Sequence, residues 1–79
     1  REWLMKELES LDEVIKVFPS YTNFVLVKVK DAKSFCKKSK DIGFLLRDVG
    51  YQPLLENCVR ITVGTTKQNQ KLIKGIKDE

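Results

Sequence analysis

The sequence predicts an α+β domain: a small, largely antiparallel sheet of about four short strands with three helices packed on it. Two segments near the ends of the chain carry apolar residues at helical spacing. Between them, short β-branched and aromatic runs alternate with turn residues, as strands do. The chain of 79 residues is short enough to form a single small domain, residues 1–79.

The first predicted helix runs from Arg1 to about Leu11. Leu4 and Leu8 precede Leu11 at spacings of four and three residues, with charged residues between them, so these leucines share one face. A strand over residues 14–18 follows, because "VIKVF" is β-branched and aromatic and ends at a proline. The chain thus begins with a helix that leads into the first strand of the sheet.

The second predicted strand, "NFVLVKV" at residues 23–29, is central to the sheet. Valines alternate along it with Phe24, Leu26 and Lys28, and both faces look buried as far as Lys28. The intervening "FPSYT" is short enough to be a turn between antiparallel neighbours. We therefore expect helices to cover at least one face of this strand.

The middle helix is predicted from its caps and its apolar stripe. Asp31 suits the N-cap, and Gly43 suits the position just after the C-cap. The stripe between them consists of Ala32, Phe35, Cys36 and Ser39. The nearby lysines lie off this stripe, as in a solvated helix face, so the helix is expected to act as a crossover between strands.

The C-terminal part of the chain predicts two more strands and a helix. "FLLR" at 44–47 and "CVRITVG" at 58–64 are the strands. Thr65 and Gln68 have the spacing of a capping box, which predicts a helix start. The apolar face of that helix holds Leu72, Ile73 and Ile76.

Composition excludes several classes of site. The chain contains no histidine, so neither a serine–histidine nor a cysteine–histidine pair can form within it. Cys36 and Cys58 lack metal-ligand spacing, which argues against zinc, and their apolar surroundings favour buried thiols in a reducing cytoplasm over one disulfide. No apolar run approaches the roughly 20 residues that span a membrane. A net charge of +4 leaves an anionic ligand or a nucleic acid open.

Arg47 and Arg60 are the candidate binding residues. The chain uses lysine for most of its positive charge and arginine only at positions 1, 47 and 60. A guanidinium is planar and binds a carboxylate or phosphate through two parallel hydrogen bonds. The alternative is a structural ion pair with Asp48 or Glu56. The loop at 48–57 is long and partly apolar, and it could pack either locally or on a part of the protein outside this chain.

Several motifs resemble the C-terminal small domain of the histidinol-phosphate aminotransferase family, which belongs to the fold type I enzymes that use pyridoxal 5'-phosphate. They are "FPSYTNFVLV", "LLRD" and "LENCVRITVGT", followed by a helix with Asn69 near its start. The resemblance covers nearly the whole chain, and residues 47–65 are its most specific part. It implies amino transfer between glutamate and imidazole acetol phosphate in histidine biosynthesis.

The resemblance also implies partners and residue roles. Arg60 matches the arginine that binds the substrate carboxylate, and Arg47 matches the arginine associated with the substrate phosphate. No lysine lies in the family's cofactor motif, so pyridoxal 5'-phosphate is expected to bind a large domain outside this chain, within a homodimer. The absence of an initiator Met agrees with a C-terminal fragment of a two-domain enzyme, inactive alone. The small anionic substrate is then the expected ligand, with neither nucleic acid nor membrane as a partner.

Two alternatives remain at this point. A related enzyme of the same superfamily, such as a threonine-phosphate decarboxylase, would share the domain and an arginine that binds phosphate. A basic RNA-binding α+β module would suit the positive charge, although no strand carries the aromatic pattern typical of RNA-binding sheets.

Overall fold

The computed structural model describes residues 2–18 and 23–78, and within them the predicted α+β class is confirmed. The helices and strands follow one another in the predicted order, with two strands after each of the first two helices. Their bounds are α1 Glu2–Glu9, β1 Val14–Phe18, β2 Phe24–Val29, α2 Ala32–Asp41, β3 Arg47–Asp48, β4 Cys58–Thr62 and α3 Thr66–Asp78.

The sheet has the strand order β1-β2-β4-β3, and each neighbouring pair is antiparallel. Strands β2 and β3 are therefore parallel to each other, with β4 between them. Helix α2 makes the connection from β2 to β3, as the sequence predicted for a crossover. The predicted turn at residues 19–22 lies outside the described residues, but the antiparallel pairing of the strands on either side of it is confirmed.

Local side-chain chemistry fixes the helix ends. Asp31 Oδ1 accepts a hydrogen bond from the Ser34 amide at 3.3 Å, which makes Asp31 the N-cap of α2. Gly43 follows the C-cap with φ +94°, a left-handed conformation in which a side chain would be strained. At α3, Thr65 and Gln68 exchange the two bonds of a capping box, at 2.9 and 3.2 Å.

All three helices contribute to one hydrophobic core, on one face of the sheet. The alternate valines of β2 and their neighbours on β4 are fully buried there, as are Leu4 and Leu8 of α1. The predicted stripes of α2 and α3 are also buried, except that Cys36 is half-buried. On the other face of β2, Phe24 and Leu26 are half-buried and Lys28 is exposed. Both faces of this strand were expected to be buried, but only the valine face is fully buried and the other is half-buried as far as Leu26.

Four predicted boundaries were wrong, one of them by a single residue, because β2 begins at Phe24 instead of Asn23. Helix α1 ends at Glu9 instead of Leu11, because the amide and hydroxyl of Ser10 both bond to the Glu7 carbonyl and close the last turn. The strand predicted over "FLLR" begins only at its last residue, Arg47, which opens β3. Phe44, the first residue of "FLLR", donates its amide to the Ser39 carbonyl and still belongs to the C-terminal cap of α2. Strand β4 stops at Thr62, two residues short of the predicted end.

Candidate functional site

Arg47 and Arg60 lie directly opposite each other on neighbouring strands. Arg47 opens β3, and its partner in the antiparallel register is Arg60 in the middle of β4. Directly opposed residues project from the same face, with Cβ atoms about 4.5–5.5 Å apart. The two arginines that the sequence singled out are thus brought together on one side of the sheet.

This side of the sheet is the one that the helices leave uncovered. The register extends the row of side chains from Arg47 and Arg60 to Leu26 on β2 and Phe18 on β1. Arg47 is exposed, and the other members of the row are half-buried. A molecule approaching this face would meet two guanidinium groups at one end and an apolar surface at the other.

Neither arginine forms a salt bridge with the part of the chain that the structure describes. The salt bridges there join Lys38 to Glu13 at 2.7 Å and Lys77 to Glu7 at 3.2 Å. Asp48, which the sequence offered as a partner, faces the helices, because it lies opposite the fully buried Val59. Its Oδ1 instead accepts a hydrogen bond from the Gly50 amide at 2.8 Å.

A depression of about 490 Å³ opens beside the two arginines. Besides the arginines, the residues that line it are Leu45, Leu46, Asp48 and Thr62. Leu45 is 84% exposed, an unusual position for a leucine. A larger depression of about 570 Å³ lies between both ends of the loop and the start of α2, among residues of mixed charge, and contains neither arginine. We therefore place the candidate anion site at the smaller depression.

The Arg60 side chain has an aromatic neighbour that the sequence analysis did not assign to the site. Its guanidinium carbon lies 5.0 Å from the centre of the Phe24 ring. Phe24 pairs with Thr62, so it is the diagonal neighbour of Arg60 across β2 and β4. The only signal in the sequence was that Phe24 and Leu26 lie two residues apart and so share one face of the predicted strand. The contact itself depends on the register between two distant strands.

Hydrogen-bonded turns shape the loop between the arginines. Gln52 donates its amide to the Val49 carbonyl, and Leu55 donates to Gln52. Asn57, in a left-handed conformation with φ +57°, accepts from the Val29 amide through its carbonyl and from the Ala32 amide through its side chain. These bonds attach the loop to the junction of β2 and α2.

The apolar residues of the loop divide into two groups. Val49 is buried and Leu55 is half-buried, so these two pack locally, within the domain. Tyr51 is 75% exposed and Leu54 is 99% exposed. Local packing, one of the two alternatives left open by the sequence, therefore accounts for Val49 and Leu55 but not for Tyr51 and Leu54.

The cysteines do not form a reactive site. Both thiols are free, with Cys58 buried and Cys36 half-buried. Burial raises the pKa of the Cys36 thiol, and the Asp48 carboxylate raises it further. Within residues 2–18 and 23–78, no cluster of three potential ligands could hold a metal ion, and no helix is long and apolar enough to cross a membrane.

Comparison with curated proteins finds relatives over the whole chain. It is 40% identical over 77 residues to a histidinol-phosphate aminotransferase of Flavobacterium psychrophilum, and 40% identical over 79 residues to one of Escherichia coli. These matches cover 98% and 100% of this chain but 22% of each relative. The chain thus spans about a fifth of the length of the curated relatives it matches.

Solved structures agree with this result. An L-threonine-O-3-phosphate decarboxylase from Porphyromonas gingivalis superposes with a TM-score of 0.82 at 33% identity, over 98% of this chain and 25% of that one. A structure described as a putative aminotransferase from Burkholderia pseudomallei gives a TM-score of 0.83 at 24% identity, over 99% of this chain and 23% of that one, which shows the fold alone. The family model for aminotransferase class I and II matches residues 1–76, and the chain belongs to that family.

Proposed function

We propose that this chain is the substrate-binding C-terminal domain of a larger histidinol-phosphate aminotransferase. The parent enzyme would transfer an amino group between glutamate and imidazole acetol phosphate. Relatives of that name that match the whole chain support this substrate choice. The observation that carries the role of the domain is the opposed pair Arg47 and Arg60, on the open face of the sheet and without salt bridges to the described residues.

In this proposal the two guanidinium groups bind the anionic groups of the substrates. Arg60 binds a carboxylate, and Arg47 binds the phosphate. Both groups suit the planar fork of arginine, which forms two hydrogen bonds at a fixed geometry. By fixing the charged groups of a small substrate, the domain would orient the reacting carbon and reduce the entropy lost at the chemical step.

Members of the family generally depend on pyridoxal 5'-phosphate, and none of the lysines that the structure describes is placed to bind it covalently. Each described lysine is exposed except Lys38, which is half-buried and bonded to Glu13. A lysine that binds the cofactor covalently needs an enclosed pocket that favours its neutral form. We therefore assign cofactor binding to a large domain of the same enzyme, within a cytoplasmic homodimer, and assign only substrate binding to this chain.

A decarboxylase acting on threonine phosphate is the second candidate, because of the close superposition on the Porphyromonas gingivalis enzyme. It would use the same arginine pair for a phosphate and a carboxylate. The two candidates differ in product. Incubating the full-length enzyme with each substrate and measuring amino transfer and CO₂ release separates them.

The test of the residue roles uses the full-length enzyme with Arg60→Ala, Arg47→Ala and the matched control Lys28→Ala. Lys28 is an exposed cation on the same face of the sheet, outside the depression. Loss of a charge-assisted bidentate contact costs about 1.5–3 kcal/mol, or more than about tenfold in kcat/KM. We expect Arg60→Ala to lower kcat/KM for glutamate by that factor. Arg47→Ala should lower mainly kcat/KM for imidazole acetol phosphate.

The control variant Lys28→Ala should change kcat/KM for either substrate by less than about twofold, because an exposed charge outside the site contributes little. Arg60→Lys should recover only part of the loss, since lysine keeps the charge without the fork. Normal kcat/KM for glutamate in Arg60→Ala would show that the assignment of Arg60 is wrong. A loss equal to that of Lys28→Ala would mean that only the general positive charge matters.

A further inference from the structure

We propose that Phe24 is a positioning residue: its ring holds the Arg60 guanidinium in the orientation in which it binds a carboxylate. The inference rests on the proposed function, because it assumes that Arg60 binds the substrate. It adds a residue that touches no substrate and acts through Arg60. It also predicts which kinetic constant this residue controls.

The geometry of the sheet makes the contact specific. Arg60 lies opposite Leu26, and Phe24 lies two residues before Leu26 on the same face. Diagonal neighbours of this kind are within reach of an aromatic ring and a long side chain. The guanidinium carbon is 5.0 Å from the ring centre, inside the range of a cation–π interaction. The Arg60 side chain therefore leans along β4 toward Phe24 and the Thr62 end of the strand.

The cation–π contact attracts the guanidinium through its charge and does not require its N–H groups to form hydrogen bonds. The fork thus remains available to a carboxylate. A free arginine side chain loses rotamer freedom when it binds, and a side chain already held in place loses less. Phe24 would therefore raise substrate affinity by lowering this entropy cost.

The same face of the sheet contains a natural comparison. The Lys16 ammonium lies 5.1 Å from the centre of the Phe18 ring, at the β1 end of the sheet. Phe18 is half-buried, as Phe24 is, and it lies opposite Leu26. It therefore resembles Phe24 in residue type, burial and cation contact, but its cation is not one of the paired arginines. Replacing Phe18 controls for the loss of an aromatic ring from this face.

The experiment measures kcat and KM for glutamate in the full-length enzyme carrying Phe24→Leu, Phe24→Met, Phe24→Trp or Phe18→Leu. We expect the leucine and methionine variants at position 24 to raise KM about threefold to tenfold, the factor that corresponds to immobilising one long side chain. Their kcat should change less than about twofold, because Phe24 does not contact the reacting atoms. Phe24→Trp should restore KM, since tryptophan is the best cation–π partner.

A second measurement detects the restraint directly. In the 79-residue chain labelled at arginine, NMR relaxation of the Arg60 Nε–H should report an ordered side chain that becomes mobile in Phe24→Leu and is ordered again in Phe24→Trp. Phe18→Leu should leave it unchanged. A variant that fails to fold would lose dispersed backbone signals, and Phe24→Met, which keeps an unbranched apolar side chain of similar reach, then supplies the comparison.

Three results would contradict the inference, and the first two show whether the proposed function fails with it. If Arg60→Ala lowers kcat/KM for glutamate but Phe24→Leu behaves like Phe18→Leu, the proposed function stands and the positioning role is wrong. If Arg60→Ala leaves glutamate kinetics unchanged, both the proposed function and this inference fail. An effect of Phe24→Leu on kcat with KM unchanged would also overturn it, because positioning of a binding group acts on affinity.

Discussion

Replacing Gly75 by alanine should destabilise the domain, although alanine is the better helix former. Gly75 lies in α3, where helix propensity alone favours alanine by about 1 kcal/mol. A methyl group there would overlap Cδ1 of Ile42 and lie 3.1 and 3.2 Å from its Cγ2 and Cβ. Overpacking of this kind costs about 1–3 kcal/mol. We expect a net loss of about 1 kcal/mol, the difference between a cost near 2 and a gain near 1.

A double-mutant cycle with Ile42→Val isolates the overlap. Valine lacks Cδ1, so Gly75→Ala in this background should keep its helix-propensity gain and lose most of its cost. The two substitutions should therefore couple by at least about 1 kcal/mol, measured by urea denaturation, or about 4–8 °C in Tm. Lys74→Gly, at an exposed position of the same helix, measures the cost of glycine without the contact.

Stabilisation of the domain by Gly75→Ala, together with the ordinary glycine cost in Lys74→Gly, would contradict this expectation. The close approach of α3 to Ile42 would then not require glycine. The contact matters for the site because Ile42 caps α2, and only a short segment separates it from Arg47 on β3. The packing of α3 on α2 thus helps to define where β3 begins.

Two further predictions concern single polar contacts. The pKa of Glu13 is lowered, mainly by the hydrogen bond from Lys38. This pair should therefore stabilise the folded chain fully above the ordinary glutamate pKa of about 4.3, and its contribution should be lost as the pH falls through the lowered pKa. The stability difference between the wild type and Glu13→Gln should be under about 1 kcal/mol at pH 7 and vanish in acid; a Glu13 pKa at or above its ordinary value by NMR would contradict this. The buried Asn69 side chain accepts from the Gly64 amide at 3.0 Å and donates to the Gly64 carbonyl at 3.4 Å, so Asn69→Ala should cost about 1–3 kcal/mol in denaturation, and Asn69→Asp, which keeps the acceptor, should cost less. Equal losses in the two variants would exclude the Gly64 amide as the important partner.

The features that the sequence predicted correctly depend on neighbours along the chain. The Asp31 cap and the Thr65–Gln68 box each need residues only three positions apart, and both form as expected. The features that it missed depend on how a helix ends or on contacts between distant segments. The start of β3 was wrong because the cap of α2 extends to Phe44, and the Phe24 contact with Arg60 follows from the register of β2 with β4.

The arginine pair illustrates the same division. From the residues alone, an ion pair with Asp48 or Glu56 was the simpler interpretation of the arginines, and the family resemblance was what favoured an anion site. Only the register decides, because one position along a strand moves a side chain to the other face. That register places Arg47 with Arg60, and it places Asp48 toward the helices with Val59.

Opposed arginines are an unfavourable choice if stability is the only requirement. Like charges directly across two strands are destabilising, whereas an opposite-charge pair contributes about 0.2–1 kcal/mol. Three carboxylates are engaged elsewhere: Glu7 and Glu13 pair with lysines, and Asp48 accepts a hydrogen bond from the Gly50 amide. Conflicts between local and global stability concentrate at functional sites. Anionic groups of a substrate at the two guanidinium groups would offset the repulsion, which is why we propose this position, among all the positive charge of the chain, for the substrate.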